Sequence, residues 1–466
     1  MAGYNVKVNG ENIKVEETRV SALPLNKLWD GVQRPIEQTE IAYFATVDMK
    51  DPIKVEIEVE GGFEKVEIRP LSKNIAFERE GNKLTLTVEK PMHFTVEPDG
   101  YHNALHMFVN PESVCPEGEN VIYFDKGEHN VGLLWLESNT TLYLEEGAVL
   151  NGVIYGYKVK NVKFCGRGMV HSANCRRGND DNPGDREPIE ALKEKGFSYD
   201  DRKYIGNLVL NECKDIVVEG VILSDSPLWS VIVRNGCENI TIDNIKIIGQ
   251  WRYNSDGIDI CVSKNVVVRN CFIRSYDDCL IARGAYLPGE EGNVENLLVE
   301  NCVCWCDWGI AMKAWAGQKV TSVHNVTFKD NYVIRLNNMA MSIVTYYGSK
   351  SSVIENILFD GVYIDSDPEY LTPRVEWEGH WGYKPGQGFA PHMIHILTGK
   401  IGKMGEQGSQ LFTPVDDYSD FIITYRNIAF NNVKYSGIPV KVQIDPNPGI
   451  LEISNISVTN SDFELE

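Results

Sequence analysis

The chain is built from short segments in which apolar and polar residues alternate, the pattern of half-buried β-strands. In the first hundred residues these segments include YNVKVNG, IKVEIEVEGG, FEKVEIRP, KLTLTVEK and HFTVEP, separated by turn sequences such as EGG, EGN and PDG. Alternating strands joined by short turns predict a small β-sandwich-like domain over residues 1–98. We predict a connector over residues 99–119 and a second domain over residues 120–466.

Beyond the connector one pattern recurs: Asn or Asp, a few alternating aliphatic residues, a polar residue that is often Asn or Gly, and more aliphatic residues. Examples are KDIVVEGVIL (214–223), ENITIDNIKII (238–248), KNVVVRNCFI (264–273) and ENLLVENCVC (295–304), and most intervals between repeats are 22 to 31 residues. A repeat of this length with no helical period predicts a β-solenoid. The predicted fold class is all-β, a parallel β-helix preceded by the sandwich-like domain.

In such a solenoid, residues at equal positions of successive repeats stack about 4.8 Å apart. An asparagine falls at one such position in several repeats. Its side-chain amides are predicted to bond from coil to coil, which is a structural role. The members of this column are Asn239, Asn265, Asn296, Asn325 and Asn356.

The charge and the cysteine content argue against several classes of partner and against a metal site. The net charge is −21 and no basic tract is present, which argues against nucleic acid and anionic membranes as partners. No run approaches 18 apolar residues and no signal-peptide pattern opens the chain, so as written it is expected to be cytoplasmic, unless a signal was removed. Several of the 11 cysteines follow an Asn in the repeats, which predicts core thiols rather than a metal site.

Three aspartates fall in neighbouring repeats. RSYDDCLIAR (274–283) contains Asp277 and Asp278, and Asp256 precedes Asp277 by 21 residues, about one coil. The three carboxylates are therefore expected to lie close together, with a bend or bulge at the end of a short strand turning both members of the adjacent pair outward. Two nearby carboxylates suit glycoside hydrolysis, since one can be held protonated and the other ionised. A turn, a solvated edge or a Ca²⁺ site remains open on spacing alone.

The residues around these aspartates resemble a known family. The stretches 224–247 and 254–284 closely resemble the polygalacturonases of glycoside hydrolase family 28 and the related dextranase family 49. The family pattern is Asn-Thr-Asp-Gly-Ile-Asp followed one coil later by Asp-Asp-Cys-Ile-Ala. The matching residues are Asn254, Ser255, Asp256, Gly257, Ile258 and Asp259, then Asp277, Asp278, Cys279, Leu280 and Ile281.

The resemblance implies a right-handed parallel β-helix and an inverting hydrolase that needs no metal or organic cofactor. It also implies the division of roles among the aspartates. Asp277 corresponds to the general acid, and Asp256 and Asp278 correspond to the residues that hold the nucleophilic water. Inversion requires about 6.5–9.5 Å between acid and base.

The chain departs from the family where polygalacturonases recognise their substrate. Their Gly-His-Gly is matched here by Asp307-Trp308-Gly309, and their Arg-Ile-Lys falls on MAMSIVTYYG (339–348), which has no basic residue; Lys313 lies one coil too early. A sugar acid would lack its cationic partner, so we expect a neutral, α-linked glycan or oligosaccharide. The predicted substrate-binding residues are Trp308, Trp229, Arg252, Tyr253, Tyr276, Arg283, Lys313 and Trp315.

The insert at 366–400 is rich in His, Trp and Tyr. It is predicted either to edge the cleft or to pack against a partner subunit, so a homo-oligomer stays open. The irregular spacing of His380, His392 and His395 favours ordinary histidines over metal ligands.

Three hypotheses follow from the sequence. The first is an inverting glycoside hydrolase acting on a neutral glycan, dextranase-like or exo-acting, with hydrolysis of galacturonan or pectic oligosaccharides as its alternative. The second is a Ca²⁺-dependent polysaccharide lyase, against which the missing basic residues count. The third is a non-catalytic glycan-binding solenoid.

Overall fold

The N-terminal part of the protein is a sandwich of two five-stranded sheets. The computed structural model describes residues 3–22, 36–175, 187–197, 205–285, 290–316, 321–344, 352–365, 367, 370, 394–397, 402–404, 412–414, 423–437, 442–445 and 451–465. The strands of the sandwich are β1 (Tyr4–Val8), β2 (Glu11–Ile13), β3 (Glu16–Ser21), β4 (Thr39–Met49), β5 (Ile53–Val59), β6 (Val66–Arg69), β7 (Glu78–Glu80), β8 (Lys83–Val88), β9 (Met92–Pro98) and β10 (Leu105–Pro111). The sheet orders are β2-β1-β5-β8-β7 and β3-β4-β10-β9-β6, and 3-10 turns occupy Ile36–Gln38 and Leu71–Lys73.

The predicted boundary at residue 98 is too early, because β10 belongs to the sandwich. β10 lies at the centre of its sheet, parallel to β4 and antiparallel to β9. Leu105 and Met107 face the sandwich core, whereas Phe108 belongs to a second apolar cluster shared with the solenoid. A strand that is buried on both faces shows no alternation, so LHMFVNP carried no period-2 signal.

The rest of the chain forms a parallel β-helix in which strands from successive coils stack in three columns. The first column contains β11 (Val121–Phe124), β13 (Thr141–Leu144), β15 (Lys160–Gly166), β18 (Lys214–Glu219), β21 (Glu238–Asp243), β24 (Lys264–Arg269), β27 (Val294–Glu300), β30 (Ser322–Lys329), β33 (Val353–Asp360), β38 (Ile423–Asn431) and β41 (Leu451–Thr459).

The other two columns begin with the long strands β12 (Gly127–Trp135) and β14 (Ala148–Tyr157). The second then contains β16 (Met169–His171), β19 (Ile222–Ser224), β22 (Lys246–Ile248), β25 (Phe272–Ser275), β28 (Val303–Cys306), β31 (Tyr332–Leu336), β34 (Tyr363–Asp365) and β39 (Lys434–Ser436). The third contains β17 (Leu208–Asn211), β20 (Val231–Arg234), β23 (Ile258–Cys261), β26 (Leu280–Arg283), β29 (Ile310–Trp315), β32 (Met339–Val344), β35 (Ile394–Leu397) and β40 (Val442–Asp445). A hairpin of β36 (Gly402–Met404) and β37 (Phe412–Pro414) and one helix, α1 (Glu187–Glu194), lie outside the columns.

The interior of the solenoid confirms the predicted stacking. Valine, isoleucine and leucine side chains from all three columns form one continuous core, which also contains buried cysteines such as Cys271 and Cys302. The asparagine column is a hydrogen-bonded ladder: Asn296 donates to Asn265 at 2.9 Å, and the same bond recurs along the column. Each ladder residue has a positive φ, a conformation that asparagine tolerates well. No described helix is long and apolar enough to span a membrane.

The sandwich packs against the second column through apolar and charged contacts. Phe108 of β10 meets Phe272 at 5.0 Å between ring centroids. Beside this cluster, buried Glu97 of the sandwich accepts hydrogen bonds from Arg69 (3.0 Å) and from Arg335 of β31 (3.3 Å). Buried charges that are paired in this way fix one domain on the other.

Candidate active site

The three predicted carboxylates lie in the turns that connect the second column to the third. Asp277 and Asp278 occupy the turn between β25 and β26, and Asp256 ends the turn between β22 and β23. Backbone hydrogen bonds join the two turns, from Asp277 N to Ser255 O (3.3 Å) and from Gly257 N to Asp278 O (2.7 Å). Asp256 therefore lies one coil from the pair, as the spacing of 21 residues predicts.

The adjacent aspartates are accommodated by a turn, not by a continuous strand. Strand β25 ends at Ser275, the pair follows in the turn, and Cys279 returns to the apolar core. The carbonyl group of Asp277 accepts hydrogen bonds from the hydroxyl of Ser275 (2.6 Å) and from the thiol of Cys306 (3.4 Å). The backbone of the turn is thus satisfied on its inner side, which leaves both side chains outside the apolar core.

The next coil approaches this turn so closely that only glycine fits. A Cβ atom on Gly309 would lie 2.3 Å from Asp278 N and 2.6 Å from Asp277 Oδ1. Gly309 belongs to the Asp307-Trp308-Gly309 sequence, and this contact gives its glycine a physical reason. Ile310, the following residue, donates its N–H to Asp278 Oδ1 at 2.7 Å.

Asp277 has surroundings that favour its protonated form. Its carboxylate accepts hydrogen bonds from Asn254 Nδ2 (3.1 Å) and from Asp278 N (3.0 Å). Burial and the neighbouring charge of Asp278 nevertheless raise the pKa of Asp277 to about 7, although Lys313 acts in the opposite direction. A carboxylic acid with a pKa near 7 can donate a proton at neutral pH.

Asp278 is held by a cation. Lys313 Nζ of β29 lies 2.9 Å from Asp278 Oδ2, and both side chains are largely buried. The lysine extends from its own coil back to the preceding one. The ion pair and the N–H of Ile310 together hold the Asp278 side chain in place.

Asp256 faces a mixed environment. Arg283 Nη2 lies 3.5 Å from Asp256 Oδ2, while Asp256 Oδ1 has no hydrogen-bond partner among the described residues. Burial and the charges of Asp277, Asp259 and Asp278 raise the pKa of Asp256 well above its usual value, although Arg283 acts in the opposite direction. An oxygen without a partner is available to a water molecule or a substrate hydroxyl.

Two of the predicted aromatic platforms stack on each other. The rings of Tyr276 and Trp308 are parallel within 2°, with centroids 5.7 Å apart, and Tyr253 lies at 6.1 Å from Trp308. Tyr276 has no exposed surface, so the prediction that it stacks on a sugar is wrong for its ring in this structure. Its neighbour Trp308 is also buried, and Tyr276 supports it because a parallel ring pair packs well in the interior.

Trp229 and Trp315 contact Arg283 instead of an open cleft. The guanidinium carbon of Arg283 lies 4.0 Å from the ring centroid of Trp229 and 4.6 Å from that of Trp315. Both indoles are largely buried. Their predicted role as sugar platforms gives way to a role in holding the arginine.

Arg252 is also engaged by protein groups. Its Nε lies 2.9 Å from Asp225 Oδ1, and its Nη1 donates to Cys175 O at 3.1 Å. The predicted substrate-binding list therefore consists largely of side chains that hold one another around the carboxylates. Asn254, Asp259 and Gly309 were not among the predicted catalytic or substrate-binding residues, although all three lie in the motifs compared with the family.

Some of the residues for which the sequence predicts a role lie outside the described residues. His380 and His392 lie outside the described residues, as does most of the insert at 366–400. His395 lies in β35, where only the backbone is described. The proposed roles of the insert and of these histidines stay predictions.

The site suits acid–base chemistry, in which one carboxyl group donates a proton and a carboxylate accepts a proton from water. It combines one carboxyl with a pKa of about 7 and two carboxylates that each contact a cation, Lys313 or Arg283. These cations occupy oxygens that a Ca²⁺ ion would need as ligands. The arrangement thus favours proton transfer and water activation over calcium binding.

Comparison with curated proteins finds partial relatives. The chain is 23% identical over 163 residues to endopolygalacturonase A of Aspergillus niger, a match that covers 34% of this chain and 41% of that protein. It is 27% identical over 201 residues to the protein named "Probable rhamnogalacturonase B" of Aspergillus oryzae, covering 42% of this chain and 34% of the relative. The matches thus span about two fifths or less of the length of these relatives.

The fold and the family are shown by broader matches. The solved structure of Dex49A from Penicillium minioluteum superposes with a TM-score of 0.64 and 15% identity, covering 97% of this chain and 88% of that one, which confirms the right-handed parallel β-helix. Residues 134–367, half of the chain, match the family described as glycosyl hydrolases family 28. The chain therefore belongs to this family.

Proposed function

We propose that the protein is an inverting hydrolase in which Asp277 is the general acid and Asp256 and Asp278 activate the attacking water. The observation that carries this proposal is the distribution of cations. Lys313 contacts Asp278 at 2.9 Å and Arg283 contacts Asp256 at 3.5 Å. Asp277 instead accepts neutral hydrogen bonds and has a pKa of about 7.

In this mechanism Asp277 gives its proton to the glycosidic oxygen as the bond between that oxygen and the anomeric carbon breaks. A water molecule attacks the same carbon from the opposite face and transfers a proton to the carboxylate of Asp256 or Asp278. The product has the opposite anomeric configuration to the substrate.

We propose a neutral sugar as the substrate. Among the described residues, the three basic side chains predicted to bind substrate each contact a protein carboxylate: Arg252 contacts Asp225, Arg283 contacts Asp259, and Lys313 contacts Asp278. A galacturonate carboxylate would have to compete with those partners, which disfavours it.

The coil that contains β32, next to that of Lys313, carries neutral groups that suit the recognition of sugar hydroxyls. Asn338 Oδ1 and Ser342 Oγ are buried and have no hydrogen-bond partner among the described residues. Ser342 lies next to Lys313 in register on β32. Neutral amide and hydroxyl groups at these positions suit the hydroxyls of an uncharged sugar.

The runner-up substrate is a pectic oligosaccharide. The curated relatives carry the names endopolygalacturonase and rhamnogalacturonase, which favours this alternative. A mixed panel of neutral α-glucans and pectic oligosaccharides separates the two. Turnover confined to the uronic acid substrates would contradict the neutral-sugar proposal.

We further propose exo-action. Asp256, Asp277 and Asp278 are only 2%, 7% and 5% exposed, so the catalytic groups are deeply recessed. A chain end can enter a narrow recess, whereas a bond in the middle of a polymer needs an open groove. Random mid-chain cleavage of a soluble glucan, seen as an early fall in viscosity, would contradict exo-action.

The decisive experiment measures reducing-end release on the panel and follows the product anomer by NMR. The wild type is expected to release the inverted anomer first, and Asp277→Asn is expected to lose about 10²-fold or more of kcat. Asp215→Asn is the matched control, because Asp215 accepts from Asn239 at 2.8 Å in the asparagine ladder, away from the site. An initially retained anomer would refute inversion, and full turnover by Asp277→Asn would refute the acid assignment.

The same assay separates the other classes. A lyase would release unsaturated product that absorbs in the ultraviolet and would lose activity with a chelator. A non-catalytic binder would show no turnover in the wild type or in Asp277→Asn.

A further inference from the structure

Arg283 lies in a buried cage beside the catalytic turns. Its position on β26 is in register with Cys261 of the preceding coil and Trp315 of the next. The guanidinium carbon contacts the rings of Trp229 and Trp315 at 4.0 and 4.6 Å. Arginine is the cation best suited to such a cage, because its planar group stacks on aromatic rings and stays charged at any working pH.

The arginine bridges two carboxylates with different relations to the reaction. Its Nη2 lies 2.7 Å from Asp259 Oδ1 and 3.5 Å from Asp256 Oδ2. Asp259 has no exposed surface and precedes the arginine by one coil on the neighbouring strand β23. The shorter contact therefore anchors the guanidinium, and the longer one presents it to Asp256.

We propose that Arg283 is a positioning residue that orients Asp256 and favours its ionised form, with Asp259 and the two tryptophans fixing the arginine. This inference rests on the proposed function, since it concerns the residue assigned to water activation. Arg283 does not touch the substrate in this scheme. It acts through Asp256.

The titratable and charged groups that face Arg283 and Asp256 come from several elements. On β23 and the turn before it the titratable groups are those of Asp256, Asp259 and Cys261; on β29 the nearest is Lys313. The pair in the β25–β26 turn contributes negative charge toward Asp256, and Arg234 of β20 is near Cys261. Among the described residues these groups are Asp256, Asp259, Cys261, Asp277, Asp278, Glu290, Lys313 and Arg234.

Arg283 and its partner Asp259 shift the pKa of Asp256 in opposite directions. Arg283 lowers the pKa of Asp256, whereas the charge of Asp259 raises it. Removing Arg283 must therefore make Asp256 harder to ionise, and removing the charge of Asp259 must make it easier. A contact with an arginine typically lowers the pKa of a carboxyl group by about 1–3 units.

The experiment compares pH profiles of kcat/KM for Arg283→Met, Arg283→Lys and Asp259→Asn on the substrate found in the panel. We expect the acid limb to move about 1–3 units to higher pH in Arg283→Met, with partial rescue in Arg283→Lys. We expect the limb to move to lower pH in Asp259→Asn.

The matched control is Arg234→Met, which removes an equally buried arginine from the same column. Arg234 Nη2 contacts Glu290 Oε1 at 2.7 Å, a carboxylate outside the catalytic turns. The control is expected to lower thermal stability and leave the acid limb in place.

An unmoved acid limb in Arg283→Met would overturn the proposal. Should Arg283→Met fail to fold, Arg283→Lys decides, because lysine loses the planar group that bridges Asp259 and Asp256 and should move the acid limb part of the way to higher pH. An unmoved limb in Arg283→Lys would then overturn the proposal. Full turnover by Asp277→Asn would instead refute the proposed function, and that outcome is read independently of the Arg283 variants.

Discussion

Replacing Gly309 with alanine tests whether the coil that follows the aspartate pair sets the geometry of the acid. The Cβ of the variant would lie 2.3 Å from Asp278 N and 2.4 Å from Asp277 C, both of them backbone atoms. Backbone atoms of a packed coil cannot rotate out of the way as a side chain can. The two coils must therefore separate locally.

The size of the effect follows from these distances. Ordinary van der Waals contact begins at 3.4 Å, so relief of the 2.3 Å contact needs a shift of about 1 Å. A displacement of about 1 Å in a catalytic group can cost about 10²-fold in rate. It would also stretch the 2.7 Å bond from Ile310 N to Asp278 Oδ1. Overpacking of this kind typically lowers the free energy of unfolding by about 1–3 kcal/mol.

The assay measures kcat and KM on purified Gly309→Ala together with its urea unfolding. We expect kcat to fall about 10²-fold per folded molecule, with a smaller change in KM. Gly168→Ala is the matched control, since its Cβ would meet Leu144 Cβ at 2.6 Å and Ala148 O at 2.8 Å, away from the carboxylates. The control should lose stability and keep kcat. Equal kcat losses in both variants, or none in Gly309→Ala, would refute the reasoning.

Three further predictions concern charge. The kcat/KM value should fall as pH rises above about 7, because Asp277, whose pKa is raised to about 7, must be protonated to donate; a rate that keeps rising to pH 9 would contradict this. Lys313→Met should move the basic limb of kcat/KM to higher pH, because Lys313 lowers the pKa of Asp277. Lys313→Arg serves as the control, and an unmoved basic limb in Lys313→Met would contradict the prediction. Arg335→Met should lower the free energy of unfolding by about 1.5–3 kcal/mol in urea titrations, because Glu97 loses one cationic partner and keeps Arg69. A change below about 0.5 kcal/mol would show that this contact does not stabilise the interface.

The architecture could be predicted from the sequence because local and global signals agree in a solenoid. Alternation at period 2 gave the strands, the interval between repeats gave the coil, and the asparagines at equal positions gave the ladder. The exception is β10, Leu105–Pro111, where burial on both faces removes the alternation. That burial depends on the contact between the two domains, which no local pattern reports.

The site was predictable in its carboxylates and less so in their neighbours. Counting one coil from Asp256 reaches Asp277, since both lie in equivalent turns. The same counting set Lys313 aside as one coil too early, yet its side chain spans the interval of about 4.8 Å between coils and reaches Asp278. The exposure of Tyr276 and Trp229 depends on packing between non-adjacent residues, so residue type alone suggested sugar contacts that the structure does not provide.

The cation distribution also explains how two adjacent aspartates can be buried at all. A second ionised carboxylate beside Asp278 would face strong repulsion in a site with little water, and Lys313 directly contacts only Asp278 of the two. Below about pH 7 the stable arrangement is therefore one ion pair and one carboxyl that keeps its proton, which agrees with the pKa of about 7 for Asp277. The charge state that permits burial is the same state that a general acid requires. Stability and the proposed chemistry thus depend on one feature, the placement of Lys313 one coil beyond the pair.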